Sequence, residues 1–152
     1  MKKAAAGSVL CAVMLLAVAA QAQQPTKIPR IGFLSVTSLS TISARIEALR
    51  QGLRELGYVE GKNIVIELRS AEGKLDRVPA LAAELVRLKV DVIVTGGGTD
   101  TRAAKEATNT IPIVMTQDSD PVGSGFVASL ARTGGNITGL STLCSGGKRK
   151  TT

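Results

Sequence analysis

The chain has 152 residues, with 19 Lys and Arg against 12 Asp and Glu, a formal net charge of +7 and no histidine. Without histidine, neither a Ser-His or Cys-His catalytic pair nor a His-ligated metal site can be built. The aromatics are Phe33, Tyr58 and Phe126, too few for a base-stacking nucleic-acid module.

Lys2 and Lys3 precede an apolar, small-residue stretch from Val9 to Ala20, and Ala20-Gln21-Ala22 reads as an A-x-A cleavage site. This layout predicts a secretory signal peptide over 1–22, cut after Ala22, and a periplasmic mature chain. The apolar stretch is shorter than the roughly 18–20 residues of a membrane span. Cys11 lies inside the stretch rather than after it, which argues against lipid attachment. Cleavage takes Lys2 and Lys3 away and leaves +5, of which Lys148, Arg149 and Lys150 carry three charges. The basic balance therefore belongs to the tail, and no nucleic-acid partner is expected. Cys144 would be the remaining cysteine, so no internal disulfide is expected.

Arg30-Ile-Gly-Phe-Leu-Ser35, entered after Pro29, predicts a buried strand, followed by a Ser/Thr loop from Ser35 to Thr41. Ile42, Ile46, Leu49, Leu53 and Leu56 then recur at helical spacing and form one apolar face, with Gly57 as the terminating glycine. Asn63 to Leu68 predicts the second strand. Glu72-Gly73-Lys74 turns the chain. Asp76 is placed to cap a second helix, with Pro79 in its first turn and Ala82, Leu85, Val86 and Leu88 as its apolar side.

Val90 to Val94 is the β-branched run of a strand buried on both faces. Thr95-Gly-Gly-Gly-Thr99 leads into a third helix over Asp100–Asn109. Pro112 to Met115 predicts a fourth strand, Gly123 to Arg132 a short helix, and Ile137 to Leu140 a fifth strand after the Gly134-Gly135-Asn136 turn. Strands alternating with helices predict an α/β fold: a three-layer αβα, doubly wound parallel sheet over 23–142. Residues 143–152 lose this patterning and read as an irregular basic tail.

In open α/β sheets, ligands bind beyond the carboxyl ends of the strands, where strand order reverses. With the order 2-1-3-4-5, that point lies between the first and third strands. Ser35, Thr37 and Ser38 in one loop, and Gly97, Gly98 and Thr99 in the other, are the candidate ligand-binding residues. Hydroxyls and the free N–H groups of a helix start suit a carboxylate. A nucleotide-binding enzyme is the weaker reading. Gly96-Gly97-Gly98-Thr99 is not G-x-G-x-x-G, and Gly147-Lys148 lacks the rest of a phosphate-binding loop. Asp118 and Asp120, two apart in a loop, read as turn-formers rather than an acid–base pair.

The segments Arg30–Ser35, Gly52-Leu-Arg-Glu-Leu-Gly-Tyr-Val-Glu-Gly-Lys-Asn63, Pro79–Val86, Asp120-Pro-Val-Gly-Ser-Gly125 and Gly134-Gly-Asn-Ile-Thr-Gly139 resemble the periplasmic substrate-binding proteins of ABC transporters. The branch includes binders of aromatic amino acids. The resemblance runs from about Arg30 to Thr142. It implies a type I periplasmic-binding-protein fold, with two αβα lobes closing on a solute, of which this chain would be the N-terminal lobe without the second. It implies a small, carboxylate-bearing, amino-acid-like solute, an ABC permease in the membrane as partner, no cofactor and no catalysis. It also brings the loop around Asp120 to the ligand. A truncated, binding-incompetent remnant of such a receptor is the alternative expectation. Thr133 stands where the family usually has proline, and Gln117-Asp118-Ser119 is more polar than its usual counterpart.

Overall fold

The computed structural model describes residues 27–118, 120–126 and 135–141. The predicted signal peptide, the tail from 143 and Cys144 lie outside the described residues. So does most of the helix predicted from Gly123 to Arg132; its described part, 123–126, lies in turns.

Five strands form one sheet: β1 (Arg30–Ser35), β2 (Val65–Ser70), β3 (Val92–Thr95), β4 (Ile113–Asp118) and β5 (Ile137–Ser141). Their order is β2-β1-β3-β4-β5, with every neighbouring pair parallel. This is the expected fold class and strand order. The helices are α1 (Ser43–Glu55), α2 (Val78–Arg87) and α3 (Gly98–Ala107). The chain moves one way across the sheet from β1 to β2 and the other way afterwards. Right-handed connections then put α1 on one face and α2 and α3 on the other.

Two cores follow from this wrapping. Phe33 and Val94 pack with Ile42 and Ile46 beneath α1. Leu34, Ile93, Ile113 and Met115 pack with Leu81, Leu85, Ala103 and Ala104 beneath α2 and α3. Adjacent residues Phe33 and Leu34 thus point to opposite cores, as strand alternation requires. A fully buried side chain of this size contributes about 1.5–3 kcal/mol.

The apolar face of α1 is used most fully at its start and falls off along the helix, with Leu49 half-buried against the same core. Ile42 and Ile46 are buried, whereas Leu56 is 75% exposed. The helix runs antiparallel to β1, so its last turn passes the strand beginnings. The helix stops as expected. Gly57 has φ +85°, its N–H donates to Arg54 O, and Tyr58 N–H reaches back to Leu53 O. Asp76 does not cap α2. Leu75–Arg77 is a 3-10 turn, Arg77 stands at the N-cap, and no side chain caps the helix. Pro79 does lie in the first turn of α2. Among the described residues, no helix is long and apolar enough to cross a membrane.

Candidate functional site

Parallel pairing brings the ends of β1 and β3 together, with Leu34 opposite Thr95. Gly96 N–H donates to Leu34 O and continues the pairing one residue past β3. Two loops therefore leave the sheet side by side, 36–42 toward α1 and 96–97 into α3. This is the switch point at which a ligand is expected.

Buried hydroxyls hold the start of α3 in place. Thr101 Oγ1 donates to Gly97 O at 2.9 Å and lies 2.7 Å from Thr95 Oγ1. A hydroxyl has one proton, so Thr95 must be the donor between the two threonines. Thr116 Oγ1 donates to Thr95 O at 2.8 Å and ties in β4. The result is a rigid seat made from the ends of β3 and β4 and the first turn of α3.

The expected site residues fall in three places around this seat. Ser35 is buried at the end of β1, and its Oγ accepts Thr37 N–H at 3.1 Å. Thr37 is exposed, and its carbonyl accepts Ser70 Oγ. Ser38 shapes its own loop. Its Oγ lies 3.1 Å from Ser40 Oγ and 2.8 Å from Thr41 Oγ1, and its carbonyl accepts the N–H groups of Thr41 and Ile42. Gly97 is the extended N-cap of α3, Gly98 its first residue, and Thr99 is exposed on its first turn. Asp120 is exposed after β4, where its Oδ1 accepts Gly123 N–H at 2.8 Å.

Asp118 Oδ1 accepts Asp120 N–H at 2.7 Å, so both aspartates do form turns. Asp118 is also buried, with Oδ2 2.9 Å from the point where a Cβ on Gly98 would stand. Phe126 packs on the same spot from 3.8 Å. The start of α3 therefore carries a carboxylate from β4.

A second carboxylate, Asp100, was not among the expected site residues. It is 3% exposed, and its Oδ2 lies 3.2 Å from where a Gly96 Cβ would be, as does Ser35 Oγ. Burial pushes its pKa up to about 6, against the downward pull of the Val36 and Gly96 N–H groups beside it. In the sequence Asp100 looks like an ordinary first-turn acid of a helix. Its neighbour Gly96 was the available signal, since a bare backbone leaves room for a side chain beside it.

On the α1 side, Arg45 Nη2 reaches Gln117 Oε1 at 3.5 Å and brings a guanidinium to the β4 end. The Gly57–Asn63 motif lies elsewhere. Asn63 Oδ1 accepts Val59 N–H, Asn63 Nδ2 donates to Gly57 O, and Arg50 pairs with Glu60 at 2.7 Å. These contacts build a loop at the beginning of β2. A concavity lined by Leu53, Tyr58, Val59 and Ile64 lies there too. It is at the wrong end of the strands for a switch-point ligand. Among the described residues, no cluster of three metal-ligating side chains occurs.

An αβα lobe with polar loops gathered over the carboxyl ends of β1, β3 and β4 is the architecture of a ligand-binding protein. Residues 30–148 match the family of ABC transporter substrate binding proteins, and the chain belongs to that family. It is similar to the tyrosine-binding protein of Clostridioides difficile (strain R20291), at 32% identity over 76% of this chain and 33% of the relative. A conserved domain protein from Vibrio cholerae superposes with TM-score 0.72 at 34% identity, covering 77% of this chain and 40% of that one. A Streptococcus pneumoniae ABC domain solved in complex with L-Trp gives TM-score 0.69 at 28% identity, covering 74% and 38%. The chain thus spans a third of the curated relative's length and about two fifths of these structures.

Proposed function

We propose that this chain is the N-terminal lobe of a solute receptor in an ABC-type uptake system, acting in the periplasm and delivering to a membrane permease. The solute is a small amino acid or close relative, held without chemical change at the ends of β1, β3 and β4. The observation that carries this reading is the convergence of the Ser35–Thr41 loop and the start of α3 at the β1–β3 switch point. The tyrosine- and L-Trp-binding relatives support an amino-acid solute. The site hydroxyls are engaged in holding loops together, which suits a surface that binds rather than reacts.

Good small-molecule sites bury roughly 70–90% of their ligand, and receptors of this fold reach that by closing two lobes. One lobe covers one side of the solute. Calorimetry of the chain with aromatic L-amino acids should therefore show binding no tighter than about millimolar, near −4 kcal/mol. Micromolar affinity would show that one lobe completes the site. Absence of any perturbation of the 36–42 and 96–99 amides in an NMR titration would overturn the reading. In a longer relative, replacing the residue matching Thr99 by alanine should weaken binding by about 1–2 kcal/mol through one lost hydrogen bond.

A further inference from the structure

The start of α3 carries an unsatisfied group. Asp100 Oδ1 is buried and has no hydrogen-bond partner among the described residues. An unpartnered buried polar atom is a state that proteins avoid, most strongly for a charged group. None of the ion pairs among the described residues involves Asp100. Among the described residues, Arg45 and the basic residues of α3 are engaged elsewhere. Arg45 reaches Gln117, Arg102 lies over the Phe126 ring, and Lys105 Nζ donates to Gly125 O.

This carboxylate sits between the ends of β1 and β3, flanked by glycines. A side chain at Gly96 or Gly97 would start 3.2 or 3.9 Å from Oδ2, so bare backbone borders the carboxylate on that side. Asp118, buried beside Gly98, adds a second acidic group to the same helix start. An unpaired carboxylate at Asp100 opposes the approach of an anion and favours a cation.

We propose that Asp100 is the amine-recognising group of the solute site, so that this lobe selects solutes by a protonated amino group rather than by a carboxylate. The proposal rests on the reading that the switch point holds the solute. The ammonium donates to Asp100 Oδ1 and supplies the missing partner as a charge-assisted hydrogen bond. Any solute carboxylate is left to the Arg45 side or to the rest of the receptor.

The test uses the isotope-labelled chain and three probes: L-tryptophan, tryptamine, which keeps the amine without the carboxylate, and indole-3-propionate, which keeps the carboxylate without the amine. Amide shifts of Val36, Gly96, Gly97 and Gly98 report binding. Tryptophan and tryptamine should bind with similar affinity, and indole-3-propionate about tenfold more weakly or less. Both amines should lower the titration midpoint of the Asp100 carboxyl carbon. Asp100→Asn should bring tryptophan down to the level of indole-3-propionate. Comparison of the three probes on the unaltered chain stands even if that variant fails to fold. Equal binding of all three, or preference for indole-3-propionate, overturns the proposal and leaves the solute reading standing. Amine binding that survives Asp100→Asn in a folded variant also overturns it. If no probe moves these amides, the solute reading itself falls, and the proposal with it.

Discussion

Asp118 holds Oδ2 2.9 Å from the point where a β-carbon on Gly98 would stand. This contact packs the end of β4 onto the first residue of α3, and glycine is the residue that allows it. Asp118 has little room to retreat, because its Oδ1 accepts Asp120 N–H at 2.7 Å. Gly98→Ala should therefore destabilise the fold by about 1 kcal/mol net, with overpacking outweighing the gain in helix propensity. Urea unfolding measures it, and the amides of 118–126 should shift most in NMR spectra. A variant as stable as the parent would show that Asp118 moves aside freely.

A harsher clash lies across the β4–β5 pair. Gly139 stands opposite Met115 with φ +151°, and a β-carbon there would fall 2.2 Å from the Met115 carbonyl oxygen. Backbone strain and a backbone clash coincide at this position. Gly139→Ala should cost about 3 kcal/mol or more. Hydrogen exchange should show β5 released first, with Ile113 N–H losing its protection as its bond to Asn136 O breaks.

Glycine has no such role at position 52, inside α1. Nothing lies within 4 Å of the point where a β-carbon would stand there, and the residue is exposed. Gly52→Ala should stabilise the protein by roughly 0.5–1 kcal/mol, through lower unfolded-state entropy and better helix propensity. A rise in the denaturation midpoint with an unchanged slope checks it.

Asp100 makes stability depend on pH with an unusual sign. Its pKa in the fold is about 6, raised by burial from 3.8. Between those values the folded state keeps a proton that the unfolded state has lost, so stability falls as pH rises through that window. Above about 6 the ionised carboxylate lowers stability by about 3 kcal/mol relative to acid conditions. Asp100→Asn removes this dependence. Its stability relative to the parent should rise by that order between pH 4 and pH 7.5, as read by denaturant titration at both. A difference that does not change with pH would show that Asp100 titrates normally.

Much of the fold was legible in the chain. The alternation of β-branched runs with helical periodicity predicted five strands, the intervening α1, α2 and α3, and a doubly wound sheet. These are local patterns, and each reports burial of its own segment. Strand ends moved outward by two residues in β2 and three in β4, where polar residues still had strand partners. Arg69 and Ser70 pair with Leu34 and Ser35 and extend β2 beyond Leu68. Periodicity also overstated α1. Leu53 and Leu56 share its apolar spacing, but sheet beneath the helix decides what is covered, and Leu56 lies past it.

The candidate site divides in the same way. The sequence by itself determined where the loops of the candidate site fall, because strand order and glycine-rich helix entry locate the switch point. Family membership was likewise carried by motifs such as Gly57–Asn63 and Asp120–Gly125. Only the tertiary structure decided the charge of that place. Asp100 and Asp118 are 18 positions apart and look like a first-turn acid and a turn-former. Pairing of β3 with β4 brings Asp118 against Gly98, and pairing of β1 with β3 closes Ser35 and Gly96 around the Asp100 carboxylate and removes water from it. A carboxylate's ionisation depends on how much water surrounds it, and that surrounding is made by residues distant in the chain.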